Sequence, residues 1–384
     1  MKKIIAIFLG IMGVASALEF GYMGNKSFGM GGSGVALGST DLSTYYNPAL
    51  QGVDNDFKLS YSLGARFKEY RLAELSKINF SSIDDINTLN NILEHNYLSA
   101  TTENGMALQA PLKLKGSVSS SFGVGIFYTK MGVINFSGNI NTGTTNIDNA
   151  NNAYINTNTL DLLEVPLSFT MQIFSGFGDF HIGANLKYIY AGYGNSREKI
   201  SVNTKISDSF KNAINGANDA TTHTFGVDVG LAYLAPKEYV TIGVVAKNLN
   251  SPTINTGLTT STQKLKLDSQ YRLGISTKII PMTTLTLDFD LKPNEEFGGF
   301  NTDFARKKVQ YISGGGIFEI GIFDLKLGFA KNILKGNSDG WLISGGLGIG
   351  YIDISMYSST KLAIINDLKL PTEFGVKLGG GFSF

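Results

Sequence analysis

The chain has 384 residues and a formal net charge of +1, and only 16% of its residues are charged, against roughly 25% in soluble domains. The near-neutral balance argues against a nucleic-acid partner, which needs a basic stripe, and the absence of Cys excludes disulfides, metal–thiolate sites and thiol catalysis. The 46 Gly, 25 Phe and 17 Tyr, against eight Pro, indicate a chain of strands and turns.

The first residues have the pattern of an export signal. Lys2 and Lys3 form a positive region, an apolar core runs to Val14, and residues 15–17 read Ala-Ser-Ala, an A-x-A cleavage site. The apolar core is too short for a membrane-spanning helix, which needs roughly 20 residues. We therefore expect residues 1–17 to be removed as a signal peptide. Since no later run is long and apolar enough to span, the exported chain is soluble or a β-barrel.

A glycine-rich, mostly uncharged stretch follows at residues 28–50 and ends in Asn47-Pro48-Ala49. Its Gly29-x-Gly31-x-x-Gly34 matches the dinucleotide-binding fingerprint. The motif neither follows a strand nor opens a helix, and Pro48 interrupts any βαβ unit, so we reject that interpretation. We predict instead that residues 18–55 form a plug, or hatch, in the mouth of a barrel built by residues 56–384.

The rest of the chain alternates between apolar and polar residues, which places the two sets on opposite faces of strands. In residues 57–67 every odd position is apolar, and residues 163–173 and 285–291 repeat this pattern. Most runs are close to the roughly 9–11 residues of a tilted membrane-spanning strand. The predicted strands are 57–67, 104–114, 118–129, 161–174, 179–191, 222–235, 239–248, 269–280, 283–292, 308–319, 322–332, 341–349, 352–357 and 373–384.

The connections between these fourteen strands alternate in length. Long polar segments follow the first, third, fifth and seventh strands, and tight turns follow the second, fourth, sixth and eighth. This alternation is typical of outer-membrane barrels, whereas a soluble sandwich has no reason for it. We therefore predict an all-β fold, a fourteen-stranded antiparallel transmembrane β-barrel with an N-terminal hatch.

Some polar positions of the strands are charged, and the alternation turns them toward the barrel lumen. Opposite charges across a lumen can pair and brace the wall, but such a polar lumen is not an obvious path for a hydrophobic molecule. The predicted lumen-facing charges are Glu164, Lys187, Asp228, Arg272, Asp288, Asp290, Lys326 and Lys377.

The end of the chain resembles the insertion signal of outer-membrane barrels. Lys377, Gly379, Phe382 and the terminal Phe384 fit the pattern polar-x-Gly-x-x-aromatic-x-aromatic. This resemblance implies recognition by the barrel assembly machinery and a place in outer-membrane lipid.

The layout also resembles the FadL-type outer-membrane transporters, whose N-terminal segment ends in Asn-Pro-Ala and folds inside a fourteen-stranded barrel. Within that superfamily, residues 242–252 followed by Tyr271-Arg272-Leu273-Gly274 resemble a barrel subgroup labelled conjugal transfer protein TraF. The resemblance implies passive uptake of a hydrophobic molecule, such as a long-chain fatty acid or an aromatic compound, past a hatch and out through a side opening. It assigns hatch gating to Phe28, Gly29, Gly31, Gly32, Gly34, Asn47, Pro48 and Ala49, and makes Gly123 and Gly125 candidates for the side opening.

Two alternatives remain open at this point. One is a barrel without transport that serves at the surface, in secretion or in conjugation, and the other is a porin-like channel for small polar solutes. We find no enzyme signature, no metal-ligand spacing and no cofactor motif, and we expect neither cofactor nor nucleic-acid partner.

Overall fold

The computed structural model describes residues 20–38, 42–53, 56–72, 90–92, 96–112, 118–138, 154–175, 177–199, 220–257, 264–297, 308–334, 339–365 and 368–383. The predicted signal peptide and Phe384 lie outside these residues. No helix within the described ranges is long and apolar enough to cross a membrane.

Short helices occur near the start of the described chain. They are α1 (Asn25–Gly29), α2 (Ser43–Tyr46) and a 3-10 helix at Pro48–Gly52. A further 3-10 turn, Pro236–Glu238, connects two strands.

The remaining described elements are strands. They are β1 (Lys58–Tyr70), β2 (Tyr97–Leu112), β3 (Val118–Ser137), β4 (Tyr154–Ser175), β5 (Gly178–Lys199), β6 (Ala220–Leu234), β7 (Val240–Lys247), β8 (Thr253–Asn255), β9 (Lys264–Lys266), β10 (Gln270–Thr277), β11 (Thr283–Asp290), β12 (Asn294–Glu295), β13 (Lys308–Val309), β14 (Tyr311–Ile320), β15 (Phe323–Asn332), β16 (Leu342–Ile349), β17 (Ile352–Ser359), β18 (Leu362–Ile365), β19 (Leu368–Pro371) and β20 (Glu373–Ser383). Fourteen of them form a closed antiparallel barrel in the order β1-β2-β3-β4-β5-β6-β7-β10-β11-β14-β15-β16-β17-β20. The last strand pairs with the first, Lys58 opposite Ser383 and Lys68 opposite Glu373, which closes the wall.

The predicted fourteen-stranded barrel is confirmed. Its described tight turns, such as the one between β14 and β15, lie at one end, here named the short-turn end. The other end, where the strands that flank the predicted long connections begin or stop, is named the long-loop end. There β8–β9, β12–β13 and β18–β19 form small two-stranded sheets of their own.

The alternation predicted from the sequence is visible in the burial of side chains. In β11, Leu285 and Leu287 are exposed on the outer face, while Thr284, Thr286 and Asp288 are buried on the inner face. Large exposed apolar residues occur on every wall strand, so an apolar belt surrounds the barrel. Such a belt is what a transmembrane barrel presents to lipid.

Strands β2 to β5 extend further toward the long-loop end than predicted: β4 begins at Tyr154 rather than at residue 161, and β5 ends at Lys199 rather than at residue 191. The added parts contain polar residues such as Asn156, Asn158 and Asn195 in place of an apolar alternation. Because these parts rise beyond the apolar belt, no alternation marks them, and the sequence pattern underestimates the strands.

The interior of the barrel is filled by residues 20–38 and 42–53, together named the inner segment. Nearly all of its described side chains are buried, and it contacts wall strands on opposite sides of the barrel, from β3 and β4 to β16 and β17. Its aromatic residues Phe20, Tyr45 and Tyr46 form a core with Phe127 and Val245 of the wall. The inner segment therefore packs against inward side chains on several sides of the closed barrel.

Candidate functional site

The Asn47-Pro48-Ala49 motif joins the inner segment to the wall. Asn47 is extended, and its Oδ1 accepts a hydrogen bond from the Ala49 N–H at 3.0 Å, which caps the 3-10 helix that Pro48 begins. Its Nδ2 donates to the carbonyl of Val35 at 2.9 Å and to that of Leu231 in β6 at 3.3 Å. A single side chain thus ties two parts of the inner segment to one wall strand.

The glycines of the inner segment are closely packed in this structure. Gly31 and Gly32 have φ angles of +73° and +84°, a region that side chains with a Cβ rarely adopt. A Cβ on Gly31 would lie 2.0 Å from the carbonyl oxygen of Phe329 in β15. Gly29 and Gly34 also have neighbours too close for a Cβ, and Phe28 packs on Tyr357 with ring centroids 5.0 Å apart. The predicted gating role of these residues stays a prediction.

Wall glycines complete this close fit, and the sequence analysis missed them. Besides Gly123 and Gly379, inward-facing glycines of six further strands lie against the inner segment, and a Cβ on any of these six would come within 1.9 to 2.9 Å of one of its atoms. The available signal was glycine at inward positions of consecutive alternating strands. These residues are Gly183, Gly230, Gly243, Gly274, Gly315 and Gly328.

Most of the predicted lumen-facing charges are paired with other wall residues. Lys187 donates to Glu164 at 2.7 Å and contacts Asp228 at 3.0 Å. The Nε of Arg272 donates to Asp290 at 2.6 Å. Because each pair is buried and hydrogen-bonded, these charges compensate one another without a ligand.

Two further networks lie nearer β1 and β20. Lys377 contacts Glu103 at 3.2 Å, and Glu103 also contacts Arg66 at 3.3 Å. Lys326 forms ion pairs with Asp324 and Asp353. Glu103 was missed because the predicted β2 began one residue too late to include it.

Asp288 has a different role, because it binds the inner segment directly. One of its carboxylate oxygens accepts hydrogen bonds from the N–H groups of Gly34, at 2.8 Å, and Val35, at 3.0 Å. Hydrogen bonds to a charged acceptor are stronger than neutral ones. Asp288 is therefore an anchor for the inner segment.

Cations and aromatic rings meet at the top of the inner segment, which faces the long-loop end. Lys247 Nζ lies 3.5 Å from the ring centroid of Tyr45 and 4.7 Å from that of Phe20, and the Arg272 guanidinium lies 4.0 Å above Phe20. Burial raises the pKa of the Tyr45 and Tyr46 phenols well above their usual value, so both are neutral. Cation–π contacts hold this end of the segment to β7 and β10.

An apolar cluster lies above this layer. Inward side chains of β3, β4 and β5 meet the β8–β9 hairpin there, and the cluster comprises Met131, Leu160, Leu162, Ile189, Ala191, Ile254, Leu265 and Leu267. Between the cluster and Tyr45 is a cavity of about 40 Å³, bordered also by Lys247 and Glu164. A cavity of about 150 Å³ is known to hold benzene, so this one is too small for an aromatic ring until something moves.

The candidates for a side opening, Gly123 and Gly125, lie in β3. Gly123 faces inward against the amide of Gln51, and Gly125 lies against Phe127 and Pro166. The β2–β3 ladder is continuous here, but the β3–β4 ladder is interrupted at Gly125 and Ile126. Pro166 stands opposite and has no N–H to donate. The side opening stays a prediction.

The described part of the predicted insertion signal lies in β20. Lys377 and Gly379 face inward, and Gly379 lies against Asn25 of the inner segment. Phe382 stacks on Tyr351 with ring centroids 4.6 Å apart. Recognition of this strand by an assembly machinery stays a prediction.

Comparison with known proteins identifies relatives of this chain. The family model described as "F plasmid transfer operon, TraF, protein" matches residues 44–291. A search of curated proteins finds no match.

Solved structures with a similar fold include toluene transporters and a FadL homologue. The Pseudomonas putida toluene transporter TodX has a TM-score of 0.56 at 12% identity, with 94% of this chain and 98% of that chain covered. The Ralstonia pickettii toluene transporter TbuX has a TM-score of 0.54 at 13% identity, with 95% and 99% covered. A Pseudomonas aeruginosa FadL homologue has a TM-score of 0.52 at 10% identity, with 94% and 98% covered. At these identities the likeness concerns the fold, which is a FadL-like barrel.

Proposed function

The chain belongs to the family described as "F plasmid transfer operon, TraF, protein", and from its FadL-like barrel we propose that it is an outer-membrane transporter for hydrophobic small molecules. Residues 1–17 act as the signal peptide, residues 18–55 as the hatch and residues 56–384 as the barrel. The long-loop end faces the outside of the cell and the short-turn end faces the periplasm.

The observation that carries this proposal is the apolar cluster directly above the inner segment. Water-filled lumens are usually lined by polar side chains, but here Leu160, Leu162 and Ile189 face inward at the outer mouth. The free energy of an apolar ligand falls when the ligand leaves water for such a surface. The ligand classes that fit are aromatic compounds and long-chain fatty acids.

Transport then needs movement of the hatch but no energy source. The cavity beneath the cluster, about 40 Å³, holds little more than one water molecule. A bound ligand favours any arrangement of Tyr45 and the inner segment that enlarges this space, because it binds that arrangement more tightly. The concentration gradient supplies the direction.

Leu162 and its neighbour Leu163 allow a matched test. Leu162 belongs to the inward cluster and Leu163 points to the outer face of β4. Replacing Leu162 by Gln places an amide in the ligand site, which costs about 1 kcal/mol or more and lowers affinity by about fivefold or more. We expect slower uptake of radiolabelled toluene, or of a fluorescent fatty acid, by cells producing Leu162→Gln, and unchanged uptake with Leu163→Gln. If cells with the unmodified barrel take up neither probe faster than cells without the barrel, the proposal is refuted.

A second candidate is a conjugation-associated barrel without transport, and the description of the family favours it. In that case the long-loop end binds a protein partner and the inner segment is a permanent seal. Purification in mild detergent separates the two: a bound lipid or hydrophobic molecule supports transport, whereas a co-purified surface or periplasmic protein supports the second role. A porin-like role predicts steady ion conductance of the intact protein in planar bilayers.

A further inference from the structure

The wall holds two parts of the inner segment by unequal numbers of hydrogen bonds. Residues 25–36 are held through their backbone by wall side chains. Ser344 accepts from the Gly31 N–H and donates to the Gly29 carbonyl, both at 2.9 Å, and Ser276 donates to the Ala36 carbonyl at 2.7 Å. With the two bonds to Asp288, these contacts anchor this half to β10, β11 and β16.

The 3-10 helix Pro48–Gly52 belongs to the other half and packs against β3 to β6. Thr170 of β4 donates a hydrogen bond to the Pro48 carbonyl, so fewer wall hydrogen bonds hold this helix than hold residues 25–36. Its surroundings include buried polar groups without hydrogen-bond partners among the described residues: the amide of Gln51, the hydroxyl of Ser121, Oε1 of Gln172 and both ring nitrogens of His181. Each of these residues is at most 5% exposed. Unsatisfied buried polar groups are unfavourable, and water or a polar solute would satisfy them. Similar groups lie in and beside residues 25–36, at Ser27 and Thr286, so the helix is the easier part to move because fewer hydrogen bonds hold it to the wall.

These groups follow one line down the inner face of β3, β4 and β5. Ser121 is paired with Thr170, and Gln172 with His181 two residues closer to the short-turn end, a step of about 7 Å. Among the described residues on this part of the inner face, from Ser168 and Asn185 down to Gln172 and His181, none is charged. The other side of the inner segment has the ion pairs of Lys326.

We infer that molecules pass the inner segment along the inner face of β3 to β5, when the 3-10 helix Pro48–Gly52 moves away and residues 25–36 stay in place. The route ends at the short turn between β4 and β5. It admits uncharged molecules and disfavours anions, because no cation is among its described residues and Asp179, the next inward position of β5 beyond His181, lies at its exit. This inference rests on the proposed function and narrows it to a route and to substrates without negative charge.

Two other exits compete with this one. A recess of about 530 Å³, bordered by Lys26 and by the β14–β15 and β16–β17 turns, opens at the short-turn end. It lies beside the anchored half, and Glu319, Asp324 and Asp353 border it. The interrupted β3–β4 ladder at Gly125 would release a molecule sideways into lipid.

A disulfide can fix the 3-10 helix, because the chain has no Cys of its own. A Cβ on Gly52 would lie 3.6 Å from Ser121 Cβ, within the roughly 3.5–4.5 Å of a disulfide, so Gly52→Cys with Ser121→Cys fixes this helix to β3. The matched control is Ser121→Cys alone, which has no partner thiol. A shift in gel mobility on heating checks that both variants fold.

We expect oxidation of the pair to reduce toluene uptake by about tenfold or more and reductant to restore it, and the same oxidant to change uptake through Ser121→Cys by less than about twofold. Benzoate, an anion of similar size, should enter at the rate of cells without the barrel. Unchanged uptake after the disulfide forms, an equal loss in the single-Cys variant, or entry of benzoate as fast as that of toluene would overturn the inference and leave the proposed function standing. No toluene uptake by the unmodified protein refutes the proposed function instead.

A labelling experiment tests the route without a substrate. Gln172→Cys lies on the proposed route and Thr286→Cys lies on the anchored side, and both native residues are buried. If the β3–β5 side opens, a membrane-impermeant maleimide should label Gln172→Cys about tenfold faster than Thr286→Cys. Equal rates, or faster labelling at Thr286→Cys, would show that the route lies elsewhere. A sideways exit at Gly125 would leave Gln172→Cys unlabelled.

Discussion

Replacing Gly31 by Ala should displace the inner segment from its contacts with the wall, while the strands of the barrel stay paired. Gly31 has a φ angle of +73°, and an added Cβ would lie 2.0 Å from the Phe329 carbonyl oxygen and 2.6 Å from its carbonyl carbon. Ordinary contact begins near 3.4 Å, so a shift of 3.4 minus 2.0, or 1.4 Å, is required. Since Phe329 is hydrogen-bonded within the wall, the inner segment must move.

The cost has two parts. A left-handed backbone costs Ala roughly 1–2 kcal/mol. A shift of this size also breaks the two hydrogen bonds with Ser344, each worth about 1 kcal/mol. The total of about 3–4 kcal/mol corresponds to a factor of more than about 100 in the population of the unseated form.

Gly321→Ala is the matched control. Gly321 has a φ angle of +60° but no neighbour within 4 Å of an added Cβ. Gly321→Ala is therefore destabilised only by the left-handed backbone, without a clash. In planar bilayers we expect Gly31→Ala to conduct ions steadily and Gly321→Ala to stay as closed as the parent protein. Equal conductance of the two variants, with equal thermal stability, would refute the close fit of the inner segment.

Further changes test the anchors and the ion pairs. Asp288→Asn keeps an acceptor for the two backbone N–H groups but loses the charge. This should weaken the attachment of the inner segment to the wall by about 1 kcal/mol and raise the ion conductance less than Gly31→Ala does. Lys187→Met leaves Glu164 and Asp228 buried without their cation, so urea unfolding should show a loss of about 3–5 kcal/mol; a triple variant that also neutralises both acids should recover most of it, and no recovery would contradict the pairing. Deletion of residues 21–48 should leave a barrel that still shifts on heated gels but leaks ions; a barrel that fails to assemble would argue against a separate hatch.

Much of the wall was predictable because its information is local. A side-chain period of two residues belongs to the strand itself, so the faces of β11 or β20 follow from the order of residues alone. The same period assigned Lys187 and Asp228 to the inner face. Where a strand leaves the apolar belt, as β4 does at Asn156, both of its faces are polar and the two-residue period disappears. The predicted strands were therefore too short at this end.

The fit between the wall and the inner segment was not predictable in this way. Gly230 reads as an ordinary strand glycine until Asn47, far away in the chain, lies 1.9 Å from where its Cβ would be. Likewise, Glu103 and Lys377 are 274 residues apart and become neighbours only when β20 closes onto β1.

The sequence by itself determined the number of strands, their alternating faces and the alternating loop lengths. It also showed a glycine-rich segment without a strand pattern before the first strand. Only the tertiary structure decided which charges pair, which half of that segment is anchored and which buried polar groups lack partners. The physical reason is that alternation depends on neighbouring residues, whereas pairing depends on how the closed barrel staggers distant strands around one interior.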